Sequence, residues 1–158
     1  MHFSPNVFAS CEAMWHATRP DKVDFAPLNN AQIDAIMIKS MLERRGIASE
    51  IEVFDAFDRL TFDYRGIMFF IRHYKSSKIR NYIELVANWA VNNVWCDMEM
   101  IMRANRINLH QELVRASFSP HGQVFGIEIP IALSDIPGLD RQLDTYVDAI
   151  LVAAEKKF

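Results

Sequence analysis

Five histidines, two cysteines and twenty carboxylates are the side chains through which this sequence could act as acid, base, nucleophile or metal ligand. Glu12 and His16 stand four residues apart beside Cys11, a spacing that shares one helix face. A zinc site needs three or four such ligands held together, so a surface ion pair is the expected role. None of His2, His16, His73, His110 and His121 belongs to an HExxH-type pair. His110 and Glu112 could exchange a proton with a substrate, but a cationic imidazole also suits a helix C-terminus, and that is the expectation. Cys96 precedes Asp97 at an expected helix start. Such a position favours a thiolate, yet a buried or capping residue is the plainer reading. No GxGxxG, GxxxxGK[ST] or GxSxG run occurs, and there are only five glycines. A phosphate cradle and a nucleophile elbow are therefore unsupported. We expect no catalytic residue, no metal and no cofactor.

Arg65, Arg72, Lys75, Lys78 and Arg80 cluster with Tyr64, Tyr74 and Tyr82 between them. Basic and aromatic side chains together can hold a nucleic-acid strand. The chain as a whole carries 17 Lys+Arg against 20 Asp+Glu, a formal charge of −3 and a pI near 5.9. That lacks the basic footprint of a nucleic-acid binder, so a solvated strand edge is expected instead.

The methionines offer a different kind of chemistry. Met37, Met41, Met68, Met98, Met100 and Met102 fall in or near three neighbouring elements. Methionine fills irregular core gaps and is also favoured on surfaces that accept varied partners. Core filling is the first expectation for most of them, with Met100 pointing away from a Met98–Ile101–Met102–Leu109 stripe. Met37, Met41, Met98, Met100 and Met102, with Trp15, form the candidate partner-binding set.

The elements that must position these groups can be read from periodicity. Residues 1–28 form an aromatic, proline-containing arm (Phe3, Phe8, Trp15 and Phe25; Pro5, Pro20 and Pro27). It is expected to pack on the domain or on a partner subunit, with a disordered tail as the alternative. Residues 29–158 are expected to make a single domain. Its first helix starts at Asn29, a capping residue with Gln32 three positions on. Ile33, Ile36, Met37, Met41 and Leu42 supply its apolar stripe, and Gly46 stops it. Period-two alternation then predicts strands over 51–57, 59–65 and 67–74, with a turn or bulge at Gly66. Residues 82–91 fit either a strand or a helix, and their β-branched and aromatic content favours a strand. Asp97 caps a helix to about His110, with Met98, Ile101, Met102, Asn105 and Leu109 along one side. A hairpin follows, turned at Ser119-Pro120-His121-Gly122. Phe125, Ile127, Ile129 and Ile131 face one way in its second strand, and Pro130 marks that strand's end as an edge. The last helix is capped by Ser134 or Asp135, and Leu139, Leu143, Val147 and Ile150 repeat along it at threes and fours.

The order is α-β-β-β-(β)-α-β-β-α, an α+β fold with an antiparallel sheet packed by helices on one face. At 158 residues with 51% apolar content, such a chain buries roughly 70% of its unfolded surface, which excludes disorder. Two cysteines outside any CxxC pair fit a reducing compartment. No apolar run approaches the ~20 residues of a spanning helix, and the first residues lack a signal peptide's pattern. A cytoplasmic protein is expected.

Tyr64-Arg65-Gly66-Ile67-Met68-Phe69-Phe70-Ile71, then Ala104-Asn105-Arg106-Ile107-Asn108, then the hairpin and the long last helix, together resemble the YbjN family of bacterial proteins over roughly residues 29–158. The resemblance implies a fold like type III secretion chaperones, often dimeric, with a regulatory or chaperone-like adaptor role and no catalysis. It supplies no catalytic residue. Asn105 and Asn108 match its helix motif and are expected to bond neighbouring backbone. Two functions follow as expectations. The first is a non-enzymatic adaptor that binds a protein partner through an apolar, Met-rich surface. It would form a homodimer through the arm and the exposed sheet face. The alternative is a small-molecule or catalytic pocket between sheet and helices, drawing on His73, Arg72, Glu84, Asn105 and His110.

Overall fold

The computed structural model describes residues 30–75, 81–92 and 97–155. The expected arm with Trp15, the capping residue Asn29, Lys78, Arg80 and both cysteines lie outside the described residues. Among the described residues, three α-helices and six strands run in the order α1 (Asn30–Arg44), β1 (Ser49–Val53), β2 (Phe57–Tyr64), β3 (Ile67–Tyr74), β4 (Tyr82–Ala90), α2 (Asp97–His110), β5 (Arg115–Ser119), β6 (Val124–Ala132) and α3 (Leu139–Glu155). The strands form one antiparallel sheet ordered β1-β2-β3-β4-β6-β5. This is the expected α+β architecture, and residues 82–90 are its fourth strand.

Strand alternation sorts the sheet's two faces. Leu60, Phe62, Phe69, Ile71, Ile83, Leu85, Ala87, Ile127 and Ile129 point inward and are buried. All three helices contribute to this one core, through Ile38 and Leu42 of α1, Met100 and Ile107 of α2, and Leu143, Val147 and Ile150 of α3. The β2–β3 hairpin turns on Arg65 and Gly66, at φ +54° and +74°. Both sit in the left-handed region that two-residue hairpins of primed type require. The first helix ends at Gly46, φ +75°. Gly46 donates to the Glu43 carbonyl at 2.9 Å and Ile47 to the Leu42 carbonyl at 2.9 Å, the paired bonds of a Schellman cap. Leu42 and Ile47 are both buried, so the cap also delivers the chain into the core.

Several expectations need correction. The buried stripe of α1 is Ala31, Ala35, Ile38, Met41 and Leu42, while Ile33 is exposed and Ile36 and Met37 are half-buried. Two alanines on that face let the helix approach the sheet closely, so the larger side chains roll to its flanks. The first two strands run Ser49–Val53 and Phe57–Tyr64, because Phe54 already donates to the Phe57 carbonyl at 2.9 Å in a tight turn. The β5–β6 turn holds Gln123 in the left-handed region, φ +49°. The Gln123 amide reaches the Pro120 carbonyl at 2.9 Å and Asp97 Oδ1 at 3.2 Å, fixing that conformation. The last helix has no Ser134 or Asp135 cap. A 3₁₀ turn, Leu133–Gly138, leads into it and has no side-chain cap bond. The edge expected beside Pro130 is present: β5 pairs with β6 only as far as Glu128, and Pro130 has a partner on β4 alone.

Candidate protein-docking surface

The second helix carries an apolar row on each of two opposite sides. Met100, Ala104 and Ile107 recur at four and three residues and are its buried face. They pack with Val114, Ala116 and Phe125 in the core. Arg103 reinforces this seat: its guanidinium donates to the Ala154 carbonyl near the end of α3 and lies over the Phe125 ring, 5.6 Å from the centroid. The opposite side of the helix carries Met98, Ile101, Met102 and Leu109. This reverses the sequence expectation. The stripe expected to point inward is the exposed one, with Met98 at 61% and Leu109 at 79% exposure, and Met100, expected to point away, is at 5%. Two apolar stripes compete for the sheet, and the smaller one wins. Ala104 and Ile107 fit the short distance to β5, whereas Met98, Met102 and Leu109 would hold the helix farther off.

Residues three and four apart on a helix are surface neighbours. Met98, Ile101, Met102, Asn105 and Leu109 therefore make one continuous exposed row. Apolar residues scattered singly on a surface need no explanation. A contiguous row on a helix already anchored by its other face does.

The two asparagines separate into different roles. Asn108 donates from Nδ2 to the Ala116 carbonyl at 2.9 Å and accepts the Ala116 N–H on Oδ1 at 2.7 Å. It thus engages both backbone groups that edge strand β5 turns away from β6, as a neighbouring strand would. Asn105 is exposed in the middle of the apolar row and makes no such backbone bond among the described residues.

The remaining candidates do not gather into a site. Met41 is core and Met37 half-buried, both in α1. His73 and Arg72, adjacent in β3, face opposite sides of the sheet. On the outer face the cross-strand row Glu52, Arg59, Arg72 and Glu84 is a ladder of charges. Arg59 pairs with Glu52 at 2.6 Å, and Arg72 with Glu84 at 2.9 Å and Glu128 at 3.2 Å. Phe70 lies between the two guanidinium groups, at 5.9 and 5.7 Å from its centroid. Arg72, expected on a solvated strand edge, is therefore in the interior of the sheet and neutralised there, because β3 is a central strand.

On the inner face His73 is buried. Its Nδ1 donates to the Tyr74 carbonyl at 3.1 Å and its Nε2 meets Asp34 Oδ2 of α1 at 2.7 Å. Cross-strand from His73, Asp58 is 2% exposed, and its carboxylate oxygens have no hydrogen-bond partner. Lys75 Nζ stands 3.5 Å away as its counter-charge. His110 ends α2 in solvent, remote from His73 in the fold, and Asn105 points outward. Glu84, Arg72 and His73 are thus each committed to structural pairs, and the five alternative candidates do not share one face.

A second polar cluster, not foreseen from the sequence, ties the helices to the hairpin. Asp144 of α3 accepts from Tyr64 Oη at 2.5 Å, from Arg45 at 2.8 Å and from Arg65 at 3.3 Å. Arg45 also reaches the Asp140 carbonyl at 2.7 Å, and Arg65 pairs with Asp148. The Tyr64 hydroxyl, followed by the Arg45 guanidinium, holds the Asp144 carboxyl below the usual carboxylate range. In the sequence Asp140, Asp144 and Asp148 show only an i, i+4 spacing.

Among the described residues, no group of three or more His, Cys, Asp or Glu side chains is placed to hold a metal ion, and no helix is long and apolar enough to cross a membrane. Comparison with family models, with curated proteins and with solved structures finds no match to this chain.

Proposed function

We propose that this chain is a non-enzymatic protein-binding module, an adaptor of regulatory or chaperone-like kind, that docks a protein partner on the exposed apolar row of α2. One observation carries the reading. Met98, Ile101, Met102 and Leu109 stand in solvent on a helix whose opposite face is already buried, so the row contributes nothing to the fold that would keep it apolar. Amphipathic helices dock through such rows at i, i+3, i+4 and i+7 spacing, and unbranched methionine side chains adapt to the facing surface. The resemblance to the YbjN family and to type III secretion chaperones points the same way. Two cysteines outside any paired motif favour a cytoplasmic setting. The small-molecule alternative has less support, because Arg72 and Glu84 pair with each other on the outer face, His73 is on the inner face, and Asn105 and His110 are on α2.

Photo-reactive methionine incorporated in cells tests the reading. Labels at Met98 and Met102 are expected to crosslink to protein, while a label at buried Met41 stays within the chain. Failure of both exposed positions to capture any protein would remove the proposal.

A further inference from the structure

We propose that the aromatic arm of this chain, residues 1–28, crosses the outer face of its own sheet and covers Glu84 and Val86 of β4. Along β2 and β3 burial alternates, as in a sheet with one packed face. Along β4 it does not: Ile83 to Ala87 are all buried. Ile83, Leu85 and Ala87 face the helices, so Glu84 and Val86 project from the opposite face. No helix lies there among the described residues, yet the two are only 2% and 3% exposed. Their cross-strand neighbours on that face, Arg72, Pro130, Phe70 and Glu128, are themselves half-buried. Side chains of one layer leave gaps between them, and shielding to this degree takes a second layer of protein.

The direction of cover follows from a gradient of exposure. Asp63, Met68 and Asn88 lie on the same outer face and are exposed. They sit toward the β2–β3 turn, where Arg45, just past the end of α1, lies over Tyr64. The start of α1 is at the opposite end, where Asp34 meets His73. There the outer face bears an aromatic patch of Phe54, Phe57 and Tyr74, with successive ring centroids 4.8 and 5.8 Å apart. The arm joins α1 at that end. Length singles it out as the occupant. Residues 76–80 and 93–96 are spent joining β3 to β4 and β4 to α2, and only 156–158 follow α3. The arm, by contrast, reaches up to about 90 Å when extended, against about 24 Å across six strands. Phe3, Phe8, Trp15 and Phe25 offer rings to Phe70 and to the guanidinium groups of Arg59 and Arg72. Trp15 is thereby assigned to the chain's own sheet rather than to a partner. The assignment stands apart from the α2 row, which stays open.

Thiol accessibility in the full-length chain tests this. With Cys11→Ser and Cys96→Ser in place, a single cysteine is introduced as Val86→Cys or as Asn88→Cys, and its reaction with a water-soluble aryl disulfide is timed. The Val86→Cys thiol should react more slowly than the Asn88→Cys thiol. Replacing Phe3, Phe8, Trp15 and Phe25 by serine should raise the Val86→Cys rate by about tenfold or more, since each aromatic side chain released from burial is worth about that factor. The Asn88→Cys rate and the far-ultraviolet circular dichroism spectrum should stay as they were. A Val86→Cys rate indifferent to the four serines overturns the proposal. Should the four serines unfold the chain, crosslinking decides. A benzophenone-bearing phenylalanine in place of Tyr74, photolysed in a mixture of light and isotope-labelled chains with the arm unaltered, should join residues 1–28 of the same chain. Crosslinks that fall only elsewhere in the chain, or only on another copy, overturn it.

Discussion

Replacing Asn108 with alanine removes two hydrogen bonds at once from the edge of the sheet. The Asn108 side chain satisfies both the N–H and the carbonyl of Ala116, at 2.7 and 2.9 Å. Ala116 itself is buried and packs with α2 in the core. Each net intramolecular bond is worth about 0.5–1.5 kcal/mol, and a shielded donor left without a partner costs more than an exposed one. The two together give about 1–3 kcal/mol. For a domain of this size that corresponds to a fall in Tm of roughly 2–4 °C per kcal/mol, hence about 2–12 °C. Urea unfolding followed by circular dichroism measures the free energy, and a thermal scan gives Tm. Asn108→Asp is the informative companion, since it keeps the acceptor for the Ala116 N–H and loses the donor to the carbonyl. It should fall between the parent and the alanine variant at neutral pH. An Asn108→Ala chain whose midpoint stays within experimental error of the parent would show that β5 does not depend on this side chain. The edge strand would then be held by β6 pairing and core contacts alone.

Two further outcomes follow from the polar clusters. The Asp144 carboxyl has its pKa depressed by Tyr64 and Arg45 in the folded chain, so its contribution is present above the ordinary carboxylate range. It is lost as pH falls below about 4, through the depressed value. Tyr64→Phe should therefore flatten the acid limb of a stability–pH profile while costing no more than about 1 kcal/mol at pH 7, because the carboxylate is half-exposed and solvent-screened; an acid limb unchanged from the parent would refute the assignment. Asp58 is a buried carboxylate whose counter-charge is Lys75 at 3.5 Å. Lys75→Met, which leaves that charge unpaired, should destabilise by more than Asp58→Asn, as read by urea midpoints of the two variants. The reverse order would mean that the carboxylate is not charged in the folded state.

Much of the fold was legible because it is written in local patterns. The period-two runs Leu60–Phe62–Tyr64 and Phe125–Ile127–Ile129 alternate between a buried and a wetter face, and the structure uses them that way. Gly46 and Gly66 announced a helix stop and a hairpin turn, and both take the positive φ that only glycine adopts at little cost. Asn108 was expected to bond backbone and does so across an edge the sequence could not show.

The candidate site was only half legible, for a definite physical reason. Periodicity found the stripe Met98–Ile101–Met102–Leu109, but a helix with two apolar faces does not say which one is inward. That choice is made by volume: Ala104 and Ile107 let α2 close on β5 and Phe125, and the bulkier row is left outside. Charges behave likewise. Arg72 and Arg65 read as solvated cations until the sheet order puts Glu84 and Glu128 beside one and the α3 carboxylates beside the other. The sequence by itself determined the elements, their order and their apolar periodicities, because those depend on neighbours a few residues apart. Tertiary structure alone decided which face each helix buries and which charges meet, because those depend on distances between segments far apart in the chain.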